Sequence, residues 1–389
     1  MQEYFTPIDI DKFSGVKHYT ASSYGKLVKG YFINNDFPKL DDVHIALIGV
    51  DEDRRAINNE GCGLSPDYIR EHFYKLFQGN YNSKIVDLGN IKKGNTVEDT
   101  HFALTDVLST LLQKKIIPVI IGGGQELTFS NYLAYQKLEQ TINIVAIDSC
   151  FDIADGDKEL NSQNYLNKII LHKPNILFNF SNVGYQTYFV EQNAIDLMDK
   201  LYFDAHRLGH MRANMEDVEP IVRNADIVSF DISAIRQSDA PGNGNASPNG
   251  FYGEEACQIA RYAGLSDKLT SIGFFEINPV FDTNKQTAHL AAQMIWYFID
   301  GYYNRKKDDP LGNKSEYTKY RVSITNHDHE IIFYKSNKSD RWWMDVPYPI
   351  NHNIKYERHH MVPCSYRDYE TACKDEMPDK WWQTFQKLG

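Results

Sequence analysis

The sequence lacks long hydrophobic runs. No stretch of about 18 apolar residues without a charge occurs in its 389 residues, so we expect no transmembrane helix and no membrane partner. The first residues, Met1 to Pro7, have neither a basic start nor an apolar core. We therefore expect no signal peptide.

Cysteine is scarce. The five cysteines lie far apart, and none belongs to a Cys-x-x-Cys pair. An odd number of scattered cysteines in a long chain argues against a disulfide framework and against a zinc ribbon. We expect the protein to work in a reducing cytoplasm.

Positive charge is also in short supply. The 41 Lys and Arg residues are outnumbered by 52 Asp and Glu residues, which gives a net charge of −11. The acidic residues are spread along the chain and form no block. Because phosphate binding needs a basic surface, we do not expect nucleic acid as a partner.

Apolar residues are plentiful and fall into alternating elements. They form 42% of the chain, enough for a substantial core in one large domain with an appendage, or in two domains. Strand patterns occur at 44–50, 83–88, 116–121, 142–148, 176–183, 226–230 and 269–275. Helix patterns occur from 65 onward and at 100–114, 127–138, 193–208, 254–263 and 283–302. Strands alternating with helices predict an α/β fold with a mostly parallel sheet covered on both faces.

Two of these helices carry start signals. Ser65 is expected to cap the first one, with Pro66 at its first position. The run Thr283 to Gln286 matches a capping box at the start of the last one.

The pattern changes near residue 305. Residues 321–325 and 330–334 predict a β-hairpin, and an aromatic-rich tail follows. We divide the chain into a decorating segment at 1–43, a main domain at 44–304 and a C-terminal appendage at 305–389. The appendage is expected to pack on the core or to form an oligomer contact, and we expect a homo-oligomer.

Four carboxylates follow three separate strands. Asp148 and Asp152 come after one, Asp231 ends the next, and Glu276 follows the last. Ligands of parallel sheets bind outside the carboxyl ends of the strands, so we expect these acids on one rim. A carboxylate at the end of a buried strand is costly to leave unpaired, so a metal, an ion-pair partner or a substrate must meet it.

The ordered motifs at these strand ends resemble the ureohydrolase superfamily, which comprises arginase, agmatinase and formimidoylglutamase. The formimidoylglutamase-type members are the most similar. The motifs are the break at Gly61, Gly63 and Pro66, GGGQE at 122–126, DSCFD at 148–152, SFDISAIRQSDAPG at 229–242 and EINP at 276–279. The resemblance implies a three-layer αβα fold with two manganese ions at the strand ends. Those ions activate a hydroxide that attacks a guanidinium or formimino carbon.

Half of the implied metal ligands are replaced in this chain. The resemblance places Asp148, Asp152 and Asp231 on ligands that are kept. Gln125 and Cys150 stand where the family has histidines, and Ser233 stands where it has an aspartate. In addition, Gly124 replaces the aspartate beside the first histidine, whereas Glu276 matches the residue that binds the cationic group of the substrate.

The ligands that are kept do not decide how many metal ions bind. One implied site keeps Asp148, Asp152, Asp231 and the amide oxygen of Gln125, an all-oxygen set that suits one divalent cation such as Mn²⁺, Mg²⁺ or Ca²⁺. The other keeps only shared carboxylates. Two metals, one hard metal and no metal all remain possible, and Asp148 and Glu276 are the candidate catalytic residues if the protein is active.

Other residues near the rim have alternative interpretations. Arg236, five residues after Asp231, either replaces the missing metal charge or is a solvated loop residue. Cys150 is either a nucleophile, if a basic neighbour lowers its pKa, or a small buried filler. The loop at 241–250 is either an active-site lid or a crossover. A larger group of histidines has no ligand spacing and is expected in core or surface positions: His206, His210, His289, His359 and His360.

Two functions follow. The first is a ureohydrolase-family protein with a degenerate metal centre, weak or inactive in hydrolysis, whose acidic pocket binds a cation or a small cationic guanidino or formimino ligand. The second is an active hydrolase of linear amidines, of the formimidoylglutamase or guanidino type, that uses one hard metal ion.

Overall fold

A ten-stranded sheet forms the centre of the molecule, in a computed structural model that describes residues 1–154, 159–311, 314–324, 329–348 and 357–388. Its strands are β1 (Phe5–Thr6), β2 (Lys29–Gly30), β3 (Ile45–Val50), β4 (Ile85–Ile91), β5 (Ile117–Ile121), β6 (Ile142–Ile147), β7 (Leu177–Tyr185), β8 (Asp204–Arg207), β9 (Ile227–Asp231) and β10 (Ser271–Phe275). Hydrogen-bonded neighbours follow the order β1-β4-β3-β5-β10-β9-β6-β7-β8, and β2 pairs with β4. The pairs are parallel except β1 with β4, which is antiparallel.

Helices cover both faces of this sheet. They are α1 (Tyr24–Leu27), α2 (Ser65–Phe73), α3 (Val97–Gln113), α4 (Leu127–Ala134), α5 (Tyr165–Leu171), α6 (Gln192–Lys200), α7 (Leu208–Ala213), α8 (Met215–Arg223), α9 (Gly253–Leu265) and α10 (Gln286–Tyr303). Successive strand residues face opposite layers: Ile45 and Leu47 join the core with α2, α9 and α10, whereas Ala46 and Ile48 join the core with α3 and α4. The predicted three-layer αβα fold is confirmed. No helix in the described part of the chain is both long and apolar enough to cross a membrane.

The structure corrects the helix predicted at 193–208. This helix ends at Lys200, and Asp204–Arg207 then form the edge strand β8. His206 therefore lies in a strand, not in a helix as predicted, while His210 lies in α7. The strand was missed because its four residues are mostly polar and give no apolar alternation.

Both predicted helix caps are wrong in detail. The Ser65 hydroxyl donates to Cys62 O at 2.8 Å and caps no helix, although Pro66 does lie in the first turn of α2. Helix α10 begins at Gln286, and Asp282 Oδ1 and Oδ2 accept hydrogen bonds from its first amides. Asp282, one residue before the predicted box, therefore caps α10. The chain bends between them at Lys285, which has a positive φ of 55°.

The C-terminal appendage has a sheet and a core of its own. Strands β11 (Tyr317–Ile324), β12 (His329–Ser336), β13 (Trp342–Asp345) and β14 (Met361–Cys364) are antiparallel neighbours in that order. Helices Tyr366–Cys373 and Asp379–Leu388 follow. The predicted hairpin is confirmed, although residues 325–328 of its turn region lie outside the described residues.

Charged contacts attach the appendage to the main domain. Arg358 donates from Nη2 to Asp226 Oδ1 at 2.5 Å, just before β9 begins. Arg223, at the end of α8, donates from Nη2 to Trp342 O at 3.1 Å and lies over the ring of Trp343. The appendage thus packs on the core, at the amino ends of the central strands.

One ion pair between elements predicts a pH dependence of stability. Burial alone raises the pKa of Glu71, but hydrogen bonds from Lys285 and Ser14 outweigh it and lower the pKa from 4.5 to about 2. Because the folded-state pKa is lowered, this group adds stability above pH 4.5 and loses it as the pH falls toward 2. We expect Glu71→Gln to lower the free energy of unfolding at pH 7 and to flatten its fall between these two pH values, as measured by urea denaturation.

Glu370→Gln, at an exposed position in the appendage, is the matched control. It should leave the pH profile unchanged. A profile of Glu71→Gln that runs parallel to that of the unsubstituted protein contradicts the assignment.

Candidate active site

The carboxyl ends of four adjacent strands meet at one rim. Along the sheet these strands are β5, β10, β9 and β6, and they are followed or ended by Gln125, Glu276, Asp231 and Asp148, respectively. All four side chains are buried, with 0 to 8% of their surface exposed. The convergence arises because parallel strands direct their carboxyl ends to the same edge of the sheet.

The backbone at the strand ends holds the acids in place. Asp148 Oδ1 accepts from Cys150 N at 2.9 Å, and Asp231 Oδ1 accepts from Ser233 N at 2.6 Å. Each carboxylate thereby closes the turn that follows its own strand. Cys150 and Ser233 therefore contact these acids through their backbone amides.

Two of the acids have left-handed backbone conformations. Asp152 has a φ of 52° and Glu276 a φ of 65°. Such a conformation costs a residue other than glycine roughly 1–2 kcal/mol, so surrounding contacts must hold it. Glu276 is held on its main chain by Gly123 O, which accepts from its amide at 2.9 Å, and by two asparagine side chains that donate to its carbonyl.

These asparagines, Asn59 and Asn243, were not predicted as site residues. Asn59 Nδ2 donates to Glu276 O at 2.8 Å and to Glu276 Oε2 at 2.7 Å, and Asn243 Nδ2 donates to Glu276 O at 2.9 Å. Asn59 Oδ1 in turn accepts from Gly244 N at 2.9 Å. The loop at 241–250 therefore contacts the site, but loop asparagines are too common for the sequence to have singled these two out.

The side-chain amide of Gln125 has only some of its hydrogen bonds satisfied. Its backbone N donates to Glu276 Oε1 at 2.9 Å, and its Nε2 donates to Ser229 Oγ at 3.2 Å. Its side-chain oxygen Oε1 is buried and accepts no hydrogen bond from the described residues. An acceptor is thus left open in the site.

The carboxylates lack donors as well. Asp148 Oδ2 and Asp152 Oδ2 are buried atoms without a partner among the described residues when both groups are ionised. No Lys or Arg of the described chain forms an ion pair with either of them, or with Asp231 or Glu276. The two aspartates satisfy each other only when Asp152 keeps a proton and donates it to Asp148, a contact that helps to raise the pKa of Asp152.

Burial dominates the electrostatics of the site. It raises the pKa of Asp148, Asp152 and Asp231, and the mutual repulsion of these carboxylates raises the pKa of Asp152 and Asp231 further. The pKa of Glu276 rises to about 7, again first through burial and against the hydrogen bond from Asn59. The pocket therefore favours the entry of positive charge.

The thiol of Cys150 is not activated. Burial first, and then the negative charges of Asp148 and Asp152, raise its pKa above the ordinary range. Its described side-chain neighbour is the Ser149 hydroxyl, with Oγ at 3.6 Å from Sγ. The structure thus argues against Cys150 as a thiolate nucleophile and for the alternative of a filler residue.

The expectation that Arg236 replaces the missing metal charge is corrected. Its Nε donates to Asp239 Oδ1 at 2.9 Å, and its guanidinium carbon lies 3.8 Å from the centre of the Tyr252 ring. Asp239 neutralises the charge, and the side chain is 35% exposed. The described contacts of the Arg236 side chain are therefore with Asp239 and Tyr252, near it in the chain.

The histidines named from the sequence also lie away from the acids. His289 stacks on His72 with ring centres 4.7 Å apart, and His359 stacks on Phe178 in the appendage contact. His360 Nδ1 lies 3.0 Å from Asp345 Oδ1, and His206 and His210 lie in β8 and α7. None contributes an imidazole to the acidic pocket.

Glu126 is a further acid that was not predicted as a site residue. It is fully buried, neither carboxyl oxygen has a partner in the described residues, and its pKa is raised by burial and by Glu276. A Cβ built on Gly124 would overlap this carboxyl group. The Glu126 side chain thus occupies the space that a side chain at position 124 would enter.

A manganese pair does not fit these residues. Such a centre needs imidazoles and bridging carboxylates, whereas positions 125, 150 and 233 offer an amide, a protonated thiol and a hydroxyl. Within the described residues, no three His, Cys, Asp or Glu side chains are grouped so that they could hold one metal ion. Gln125 Oε1, Asp148 Oδ2 and Asp152 Oδ2 are buried acceptors without a partner among the described residues. Asp148, Asp152, Asp231 and Gln125 as ligands of one metal stay a prediction.

A three-layer αβα fold with an acidic rim at the carboxyl ends of its central strands defines the class of protein. The arginase family model matches residues 43–300, so the chain belongs to the arginase family. Its relatives place it in the formimidoylglutamase-like branch, as the sequence motifs predicted. The formimidoylglutamase of Staphylococcus haemolyticus is 27% identical over 277 residues, which cover 67% of this chain and 86% of that protein.

Solved structures agree on the fold. The Trypanosoma cruzi formiminoglutamase with Mn²⁺ superposes with a TM-score of 0.63 at 20% identity, covering 69% of this chain and all of that one. The Bacillus subtilis formimidoylglutamase gives 0.65 at 18% identity, covering 73% and 93%. The family match ends at residue 300, so the appendage strands from Tyr317 onward lie outside it.

The overlap between Gly124 and Glu126 yields a prediction. Gly124→Ala should destabilise the protein because the new methyl group would force the fully buried Glu126 carboxyl group to shift. In a Glu126→Ser background the same substitution should be nearly neutral, giving a coupling energy of about 0.5–3 kcal/mol in a double-mutant cycle of urea denaturation.

Gly209→Ala is the control, since a Cβ at that glycine meets nothing within 4 Å. Equal effects of Gly124→Ala in the two backgrounds contradict the assignment of this space to Glu126.

Proposed function

We propose that this arginase-family protein binds a small cationic molecule of the amidinium or guanidinium class in its acidic pocket and hydrolyses it weakly or not at all. The observation that carries the proposal is the group of buried acceptors without a cation: Gln125 Oε1, Asp148 Oδ2 and Asp152 Oδ2 have no donor among the described residues. Buried charges and acceptors are normally paired. A ligand with positive charge and several N–H donors matches that requirement.

The shape of an amidinium group suits these partners. It is planar and cationic, and its parallel N–H groups form paired, charge-assisted hydrogen bonds with carboxylates. In the proposed complex Glu276 receives the cationic group, since its strained backbone and Asn59 fix its carboxylate in the pocket. Asp148 and Asp231 supply further negative charge, and the open oxygen of Gln125 accepts a remaining N–H.

The replaced ligands explain the weak hydrolysis. Attack on an amidinium carbon at neutral pH needs an activated hydroxide, which two metals supply when they are bound. Here the imidazole positions hold the Gln125 amide and the Cys150 thiol, whose pKa is raised. No described histidine lies in the pocket to act as a general base in their place.

The alternative function is an active hydrolase of linear amidines with one hard metal ion. The all-oxygen acceptors of Asp148, Asp152, Asp231 and Gln125 favour it, because oxygen ligands suit Mn²⁺, Mg²⁺ or Ca²⁺. The formimidoylglutamase relatives, and the Mn²⁺ in the Trypanosoma cruzi structure, are in line with it. The division at residues 43 and 304, a homo-oligomer and a cytoplasmic location stay predictions.

Metal analysis separates these functions. Purified protein dialysed against manganese should retain less than one ion per chain, and arginine, agmatine or formiminoglutamate should release neither urea nor formamide. The variant Gln125→His, Cys150→His, Ser233→Asp rebuilds the implied ligand set and should retain two manganese ions, because all six ligands are then present. Circular dichroism of both proteins checks that the substitutions leave the fold intact.

Stoichiometric manganese in the unsubstituted protein, or release of urea or formamide by it, favours the alternative. A rebuilt variant that is folded but still binds no manganese contradicts our explanation of the loss.

Ligand binding provides a direct test. Isothermal titration with agmatine and formiminoglutamate should detect binding by the metal-free protein. Glu276→Gln keeps the shape of the side chain but removes its charge, so affinity should fall roughly tenfold or more, as expected for a lost charge-assisted hydrogen bond.

Asp106→Asn removes a carboxylate from the surface pair with Lys137 and should not change affinity. Equal effects of the two substitutions, or no binding by the unsubstituted protein, would falsify the proposed cation pocket.

A further inference from the structure

Two small adjoining clefts lie where the appendage meets the core. Asn224 and Pro363 line both of them. They lie at the amino ends of β6, β9 and β10, the strands whose carboxyl ends carry the acidic pocket. The clefts are therefore separated from that pocket by the length of the strands.

The lining of these clefts is rich in positive charge. Its basic residues are Arg223, Lys268, Arg341, Arg358, Lys380 and Lys387. Its acidic residues are Asp204, Asp267, Asp308 and Asp309. Two further acids, Glu219 and Asp226, pair with the arginines of this lining.

Some of these cations are already neutralised. Arg358 is paired with Asp226, with Nη2 at 2.5 Å from Oδ1. Arg341 is paired with Glu219 at 3.1 Å and with Asp308 at 3.5 Å. These pairs hold the walls of the clefts, and Arg223 is also paired with Glu219, so the lysines are the cations of the lining without an ion pair among the described residues.

Arg223 has a buried donor with no acceptor. Its side chain is 4% exposed; Nε donates to Glu219 Oε1 at 2.9 Å and Nη2 to the carbonyl of Trp342 at 3.1 Å. Its remaining nitrogen, Nη1, is buried and has no hydrogen-bond partner in the described part of the chain. A guanidinium N–H without an acceptor is costly, so an oxygen-bearing ligand at this point would be stabilised.

Lys268 is the second cation with spare donors. Its ammonium group donates to Asn224 Oδ1 at 2.9 Å, a neutral acceptor. Burial lowers the pKa of Lys268 to about 8, against the influence of Asp226, and burial likewise lowers the pKa of Lys387 to about 8. Asp204 opposes this shift at Lys387, whereas the hydrogen-bond acceptor of Lys268 is neutral.

His359 is an imidazole whose pKa is lowered by burial and by cations from both clefts. Its Nε2 lies 2.9 Å from Thr141 Oγ1, whereas its Nδ1 is buried without a partner in the described residues. Burial lowers its pKa well below the ordinary value, and Lys268, Arg358 and Lys387 lower it further. Cations from both clefts therefore act on one point, where a negative group would be stabilised.

We propose that the junction between the appendage and the core binds a small oxyanion, of the phosphate or carboxylate class. Arg223 Nη1 and Lys268 Nζ donate to it, and Lys380 and Lys387 line the adjoining side. Guanidinium and ammonium donors around one cleft are the usual partners of such groups. The site depends on the appendage, which supplies Lys380 and Lys387 and lies beyond the family match that ends at residue 300.

The test is isothermal titration of the full chain with sodium phosphate and, separately, with sodium succinate, each against sodium chloride of equal ionic strength. We expect at least one of the two oxyanions to bind when chloride does not, and their comparison identifies the class. Lys268→Gln should weaken that binding roughly tenfold or more, because a charge-assisted hydrogen bond is lost.

Lys84→Gln is the matched control, a lysine at the opposite edge of the sheet that is about one third exposed and paired with Asp42. It should leave the affinity unchanged. Lys380→Gln serves as a second cleft variant should Lys268→Gln fail to fold, and it should also weaken binding. Binding of neither oxyanion beyond the chloride control, or affinities of the cleft variants equal to that of Lys84→Gln, overturns the proposal.

Discussion

The burial of four carboxyl groups at the ends of three adjacent strands is the constraint on which the rest of the site depends. Asp148, Asp152, Asp231 and Glu276 are placed together by the parallel sheet, and no described basic side chain pairs with them. Buried carboxylates that lie close together repel each other, so their pKa values rise or a cation binds beside them. The left-handed backbone of Glu276 costs stability. Hydrogen bonds from asparagine side chains to its carbonyl hold it in that conformation.

The arginase family supplies the scaffold, and this chain presents its own set of side chains on it. Asp148 and Asp231 also close the turns that follow their strands, and the same rim holds the amide of Gln125, the thiol of Cys150 and the hydroxyl of Ser233. Gly124 leaves room for the buried carboxyl group of Glu126, since a Cβ at position 124 would overlap it. The strand ends are therefore both packed and acidic.

The appendage gives the sheet an electrostatic asymmetry. The carboxyl ends of β6, β9 and β10 carry the acids, whereas the amino ends of the same strands face Arg223, Lys268 and Arg358. Because this basic junction forms only where the appendage packs on the core, it belongs to the chain as a whole and to neither part alone.

The sequence by itself determined the fold class, since period-two apolar patterns and strand–helix alternation depend only on local spacing. It also determined that Asp148, Asp152, Asp231 and Glu276 share a rim, because parallel strands end on one side. Tertiary structure alone decided the partners: Arg236 pairs with Asp239, Asn59 and Asn243 hold Glu276, and Glu126 fills the space beside Gly124. Those contacts join residues far apart in the chain or depend on side-chain direction, and neither is encoded in a local pattern.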